Sequence, residues 1–135
     1  PAIEMLAHDT GQWPGHQNVG RVATAGANEY CGADADGNDC GARSLDAGSA
    51  GLSRNDTATP FSNWQGAYMQ YIPLDPWGRE YFFDTDYQVD NEGLPTGCGG
   101  IGTNNVVAIG SYGPDGLSVP TGTYGCDDII KIIYQ

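Results

Sequence analysis

Apolar and polar positions along this chain change their spacing several times, and each change marks a candidate element. In Ala2–His8, Ile3, Leu6 and Ala7 recur at one-face helical spacing, with Met5 at the flank. That spacing predicts the end of a helix. Asp9-Thr10-Gly11 stops it, and Trp13-Pro14-Gly15 turns the chain. Residues 16–66 hold few apolar runs and many Gly, Asn, Asp, Ser and Ala. They predict a long ordered loop carrying at most one short helix or strand. Ala58–Trp64 then returns Phe61 and Trp64 toward the core. Aromatic and β-branched runs at Ala67–Ile72, Glu80–Val89, Asn105–Tyr112 and Asp127–Tyr134 are the strand candidates.

The connections carry turn chemistry. Between the first two runs, Pro73 and Pro76 lack backbone donors, and Gly78 can take φ > 0. Asp75 precedes a proline, where an Asx-type turn is easy. Together these predict a hairpin connection, with Trp77 covering an edge of the core. Asp90–Thr103 reads as a glycine-rich loop, Gly113-Pro114-Asp115-Gly116 as a tight turn, and residues 117–126 as a small-residue loop. Such connections favour an antiparallel sheet, and a helix on one of its faces makes an α+β domain. The whole chain, 1–135, reads as one domain. Residues 1–14 are the end of a helix spine, 15–66 a variable loop region, and 67–135 the sheet and C-terminal loop. The abrupt start inside a helix suggests a trimmed chain.

Charge narrows the partners. The chain of 135 residues has 17 acidic and 5 basic residues, a formal charge of −12. That opposes binding to nucleic acid and is compatible with binding cations. Four cysteines, Cys31, Cys40, Cys98 and Cys126, show no Cys-x-x-Cys spacing, and only two histidines are present. Zinc is disfavoured on both counts. Two disulfides in an oxidising compartment fit better. Local pairing, Cys31–Cys40 and Cys98–Cys126, is expected among the three possible connectivities. The short loop would contribute roughly 3 kcal/mol and the long one slightly more, before strain.

Catalytic signatures are missing: there is no nucleophile elbow, His-Glu-x-x-His or phosphate loop. Gly97–Gly102 is glycine-rich but lacks a strand-to-helix context. His8 and His16 are expected to be exposed or to cap. Asp34, Asp36 and Asn38 alternate as in the first half of a calcium loop, but Asp39 and Leu45 break the pattern. A weak second metal loop and an acidic solvated tip both fit them. Asp115, Asp127 and Asp128 would converge if Cys98–Cys126 closes the loop between them. Hard oxygen donors on a flexible loop suit Ca²⁺ better than Zn²⁺ or Mg²⁺. Turn formation by Asp115 and edge protection by the Asp pair fit equally well.

Four pieces in order resemble the periplasmic domain of the major pseudopilin of type II secretion and related type IV pilin-like proteins. They are Leu6–Pro14 after a helix, Tyr71–Tyr81 with its Pro-Leu-Asp-Pro-Trp-Gly core, Gly113–Gly116, and Asp127-Asp128-Ile129. The resemblance implies a pilin-like fold and a non-enzymatic subunit. Such a subunit assembles with copies of itself and with other pilins or pseudopilins into a periplasmic or cell-surface filament. It also implies an N-terminal apolar helix, not present here, that anchors the subunit in the inner membrane. Finally, it implies calcium at Asp115, Asp127 and Asp128, with the carbonyls of Tyr112 and Leu117 completing the shell. A secreted calcium-dependent adhesin or glycan-binding domain using exposed Trp13, Trp64 or tyrosines is the alternative. A hydrolase would need two facing carboxylates in a cleft.

Overall fold

The computed structural model describes residues 1–19, 30, 44–95, 98, 100–114 and 128–134. In order, its elements are helix α1 (Ala2–Thr10), the two-residue strands β1 (Gln12–Trp13) and β2 (Gln17–Asn18), a 3-10 turn at Gly48–Ala50, and strands β3 (Phe82–Val89), β4 (Asn104–Ser111) and β5 (Ile129–Tyr134). β1 and β2 pair with each other, while β4 is the middle of an antiparallel sheet ordered β3-β4-β5. Helix α1 buries Ile3 and Leu6, as their spacing predicts. Gly11, at φ 75°, ends it by donating its amide to the Ala7 carbonyl at 2.8 Å.

One expected strand is absent, which corrects the sequence reading. Ala67–Ile72 belongs to no strand. The amides of Tyr68 and Met69 both donate to the Leu52 carbonyl, at 2.8 and 3.2 Å, instead of spacing themselves along a ladder. The Tyr68 hydroxyl donates to Asp9 Oδ2 at 2.9 Å, and Tyr68 and Ile72 pack on the core beside α1. The apolar character of this segment therefore serves packing, not pairing. The 73–81 stretch is accordingly a closed turn between an irregular segment and β3, not a hairpin connection.

Both faces of the sheet are covered. On one face, Phe83 and Val107 meet Ile3, Leu6, Trp13, Tyr30, Leu45, Leu52 and Phe61. On the other, Phe82, Tyr87, Val89, Val106, Ala108 and Tyr112 pack together, flanked by Ile130 and Ile132. A regular strand would put Phe82 and Tyr87 on opposite faces, because they are an odd number of residues apart. The β3–β4 register shifts between Asp84 and Tyr87, and Asp84 Oδ1 accepts the Asp86 amide at 2.8 Å across the irregularity. This bulge carries Tyr87 to the face of Phe82. The Phe82 ring then stacks on Tyr87 at 5.3 Å and on Tyr112 at 4.8 Å.

The segment from Ser44 to Ile72 is fastened to the N-terminal turn by side chains. Asn63 Nδ2 donates to the Asp9 carbonyl at 2.9 Å, while within the segment Trp64 Nε1 donates to the Gly51 carbonyl at 2.7 Å. His16, at φ 63°, stands 2.9 Å from Gln12 Oε1 and 3.0 Å from Asp56 Oδ2, with its ring stacked 3.9 Å from Phe61. His8 is exposed beside Asp9, as expected, but His16 is a clasp between two segments. The His16 contact, then the Thr59 amide, holds the Asp56 carboxyl below its usual value of 3.8.

Two outcomes follow from this packing. Phe83→Ala should cost about 3–5 kcal/mol of unfolding free energy in urea, whereas Leu74→Ala, at an exposed position, should stay within about 0.5 kcal/mol. A carboxyl lowered by folding stabilises above its unfolded pKa and loses that contribution as pH falls through its folded value. The wild-type Tm should therefore fall more steeply below pH 3.8 than the Tm of Asp56→Asn, as calorimetry across that range would show.

Candidate functional site at the β4–β5 loop

β4 and β5 end their ladder at the pair Ser111↔Ile129. One step beyond, the antiparallel register sets Tyr112 opposite Asp128, the two ends from which the connecting loop departs. On the Tyr112 side, Ser111 Oγ donates to Asp75 Oδ2 at 2.6 Å and accepts the Gly113 amide at 3.0 Å. Gly113 takes φ 72°, a conformation that costs glycine little.

Asp75 explains the Asp-Pro-Trp-Gly turn. Its Oδ1 accepts the amides of Trp77 and Arg79 at 3.0 and 2.8 Å, the Asx geometry that the sequence predicts. Its own amide donates to the Arg79 carbonyl at 2.7 Å, and Gly78 closes the turn at φ 83°. Trp77 is 39% exposed, so it does not cover the core as expected. Its backbone, not its ring, is what the turn uses.

On the other side, Asp128 is 8% exposed and accepts the Tyr87 hydroxyl on Oδ2 at 3.0 Å. Tyr87 itself is fully buried in the aromatic column. Of the residues the sequence assigns to metal binding, Tyr112 and Asp128 are described, each one step beyond the last β4–β5 pair. Asp115, Leu117 and Asp127 lie outside the described residues, as do Asp34, Asp36, Asn38, Cys31, Cys40 and Cys126. Cys98 is disulfide-bonded, and its partner also lies outside them.

The glycine-rich loop before β4 is built on Asp90, whose Oδ1 accepts the amides of Glu92 and Leu94 at 2.8 and 3.0 Å. A Cβ at Gly100 would overlap Asp90 Oδ2, and one at Gly102 would overlap the Asn91 amide. Close backbone approach, not nucleotide binding, accounts for these glycines. Among the described residues no group of three or more His, Cys, Asp or Glu could hold a metal ion.

Sequence reasoning missed Tyr87 and Ser111. Tyr87 read only as an apolar strand residue, because its face depends on a bulge that alternation does not reveal. The Asp84-Thr85-Asp86 run, acidic and turn-forming inside a strand, was the available signal.

A helix leading through an irregular middle segment to a small antiparallel sheet, with a loop between its last two strands, is consistent with an α+β pilin-like domain. A family model described as type II secretion system (T2SS), protein G matches residues 44–131, which is well over half of the chain. The chain therefore belongs to that family, the type II secretion pseudopilins. No curated protein and no solved structure matches the chain. The matched span holds the Asp75 turn, β3, β4 and the β4–β5 loop. No described helix is long and apolar enough to cross a membrane.

Calcium is the ion the resemblance implies, and the described donors fit it. The buried Asp128 carboxylate and the Tyr112 main-chain carbonyl are hard oxygen donors, the type such an ion takes.

Removing the acceptor at the centre of the turn should be costly. Asp75→Ala strands the donors of Trp77, Arg79 and Ser111 and should lose about 3 kcal/mol or more in urea unfolding, with Ser111→Ala losing about 1–2 kcal/mol.

Proposed function

We propose that this chain is a structural subunit of the type II secretion pseudopilus, self-assembling with copies of itself and with other pseudopilins, and stabilised by calcium at the β4–β5 loop. Asp115, Asp127 and Asp128 would supply carboxylate oxygens, and Tyr112 and Leu117 their carbonyls. The observation carrying this reading is the placement of Asp128, buried and opposite Tyr112 at the loop's two ends. Calcium there offsets repulsion among acidic side chains and holds the loop in one conformation for subunit packing. A Cys98–Cys126 bond would close the same loop covalently.

Family membership supports a role in assembly, not catalysis, since the pseudopilins are a structural family. It also supports a periplasmic filament, with an upstream apolar helix anchoring the subunit in the inner membrane before assembly. A related type IV pilus-like filament would use the same domain. Of the residues the adhesin alternative would use, Tyr71 is exposed, whereas the two tryptophans offer less. Trp13 is 6% exposed, and the Trp64 indole N–H is spent on the Gly51 carbonyl.

With a dissociation constant of about 10⁻⁴–10⁻³ M, as in extracellular calcium modules, millimolar Ca²⁺ adds roughly 0.4–1.4 kcal/mol of stability. Chelator should therefore lower Tm by a few degrees, and Ca²⁺ should restore it better than Mg²⁺. An unchanged melting curve, together with no heat on titrating Ca²⁺, would refute the calcium reading while leaving the family assignment intact.

A further inference from the structure

We propose that Tyr87 is the positioning residue of the calcium loop, orienting Asp128 by a hydrogen bond from inside the sheet. This rests on the calcium reading above and adds to it a residue that no ligand motif contains.

Three observations converge. First, the Tyr87 hydroxyl donates across elements to Asp128 Oδ2 at 3.0 Å, from a tyrosine with no exposed surface. Such a donor is expensive to bury without an acceptor, so the bond fixes the rotation of the carboxylate. Second, Tyr87 reaches this place because β3 is bulged between Asp84 and Tyr87, with the Asp86 amide held on Asp84 Oδ1. A bulge that re-aims one side chain is a device of functional sites. Third, the same aromatic column grips the other end of the loop. Phe82 lies between Tyr87 and Tyr112 at 5.3 and 4.8 Å, the rings inclined by 11° and 18°.

β3 thus holds both Asp128 and Tyr112 without contributing a ligand of its own. Partners that orient a ligating carboxylate are worth roughly tenfold or more in metal affinity. Tyr87→Phe keeps the ring, its volume and its stacking, and removes only the donor.

The experiment is Ca²⁺ titration by calorimetry of the full chain, at a temperature where every variant is folded. It compares wild type, Tyr87→Phe and Val107→Ala. Val107 is buried on the opposite face of the sheet and serves as a control that loses stability without touching the loop. We expect Tyr87→Phe to weaken Ca²⁺ binding roughly tenfold and Val107→Ala to leave it within about twofold. Equal weakening in both variants would make the effect one of general stability and overturn the proposal. Unchanged affinity in Tyr87→Phe would also overturn it, while the calcium reading stood. No binding by the wild type would remove both. A second readout needs no variant. In the NMR spectrum of the wild-type chain, the Tyr87 ring signals should shift as Ca²⁺ saturates the loop. Signals that stay fixed would count against the proposal whatever the mutants do.

Discussion

A sheet of three strands must here be covered on both faces by a chain in which small and polar residues abound. β4 sets this requirement, since Val106, Val107 and Ala108 are consecutive and all buried. Successive residues of a strand face opposite ways, so neither side of β4 can be left to water. Helix α1 and the segment around Leu45, Leu52 and Phe61 cover one side. The other is covered by Phe82, Tyr87 and Tyr112, an arrangement available only because β3 is bulged. Fully burying each such aromatic contributes on the order of 1.5–3 kcal/mol. Moving Tyr87 back to the regular pleat would forfeit that and unseat Asp128 as well. Fold stability and the geometry of the loop depend on the same irregularity.

The acidic composition acquires a second meaning from the turns. Asp56, Asp75, Asp84 and Asp90 each accept one or more nearby backbone amides, organising segments that have no regular structure to satisfy their donors. A net charge of −12 is therefore only partly a solvated surface. Part of it is a set of acceptors built into turns and one strand irregularity, where a carboxylate bond is stronger than a neutral one. Two of the four also reach beyond their own turns, Asp56 to His16 and Asp75 to the Ser111 hydroxyl, just as Asp128 accepts the Tyr87 hydroxyl from another strand.

Local chemistry was legible in the sequence, and long-range chemistry was not. The periodicity of Ile3 and Leu6, the Asx turn at Asp75 and the three strand cores each rest on neighbours within a few residues. Each is found where it was expected. Ala67–Ile72 failed because an apolar run states that a segment is buried, not what its amides bond to. The Leu52 carbonyl, which takes two of those amides, is far away in sequence. His16 was read as peripheral for the same reason, since Asp56 and Phe61 come from another segment. At the loop, the residue types of the proposed ligands were readable from their motif, but the residue holding Asp128 was not. One register shift in β3 decides which face Tyr87 occupies, and no count of alternating residues contains it.

The loop's position at the end of a ladder also bears on what an ion there could do. Ordering a free segment costs roughly 1–2 kcal/mol per residue in backbone entropy, more than an extracellular-type calcium site returns. A site of that strength is workable only if most of the ordering has already been supplied. The pair Ser111↔Ile129, the Ser111 bond to Asp75 and the Tyr87 bond to Asp128 supply it at both ends. Calcium would then select among conformations of a loop whose ends are fixed, and would not have to create the site. By the same reasoning, loss of the ion should loosen the loop and the start of β5 first. Helix α1 and the Phe83 face of the sheet, which share no residue with that end, should keep their packing.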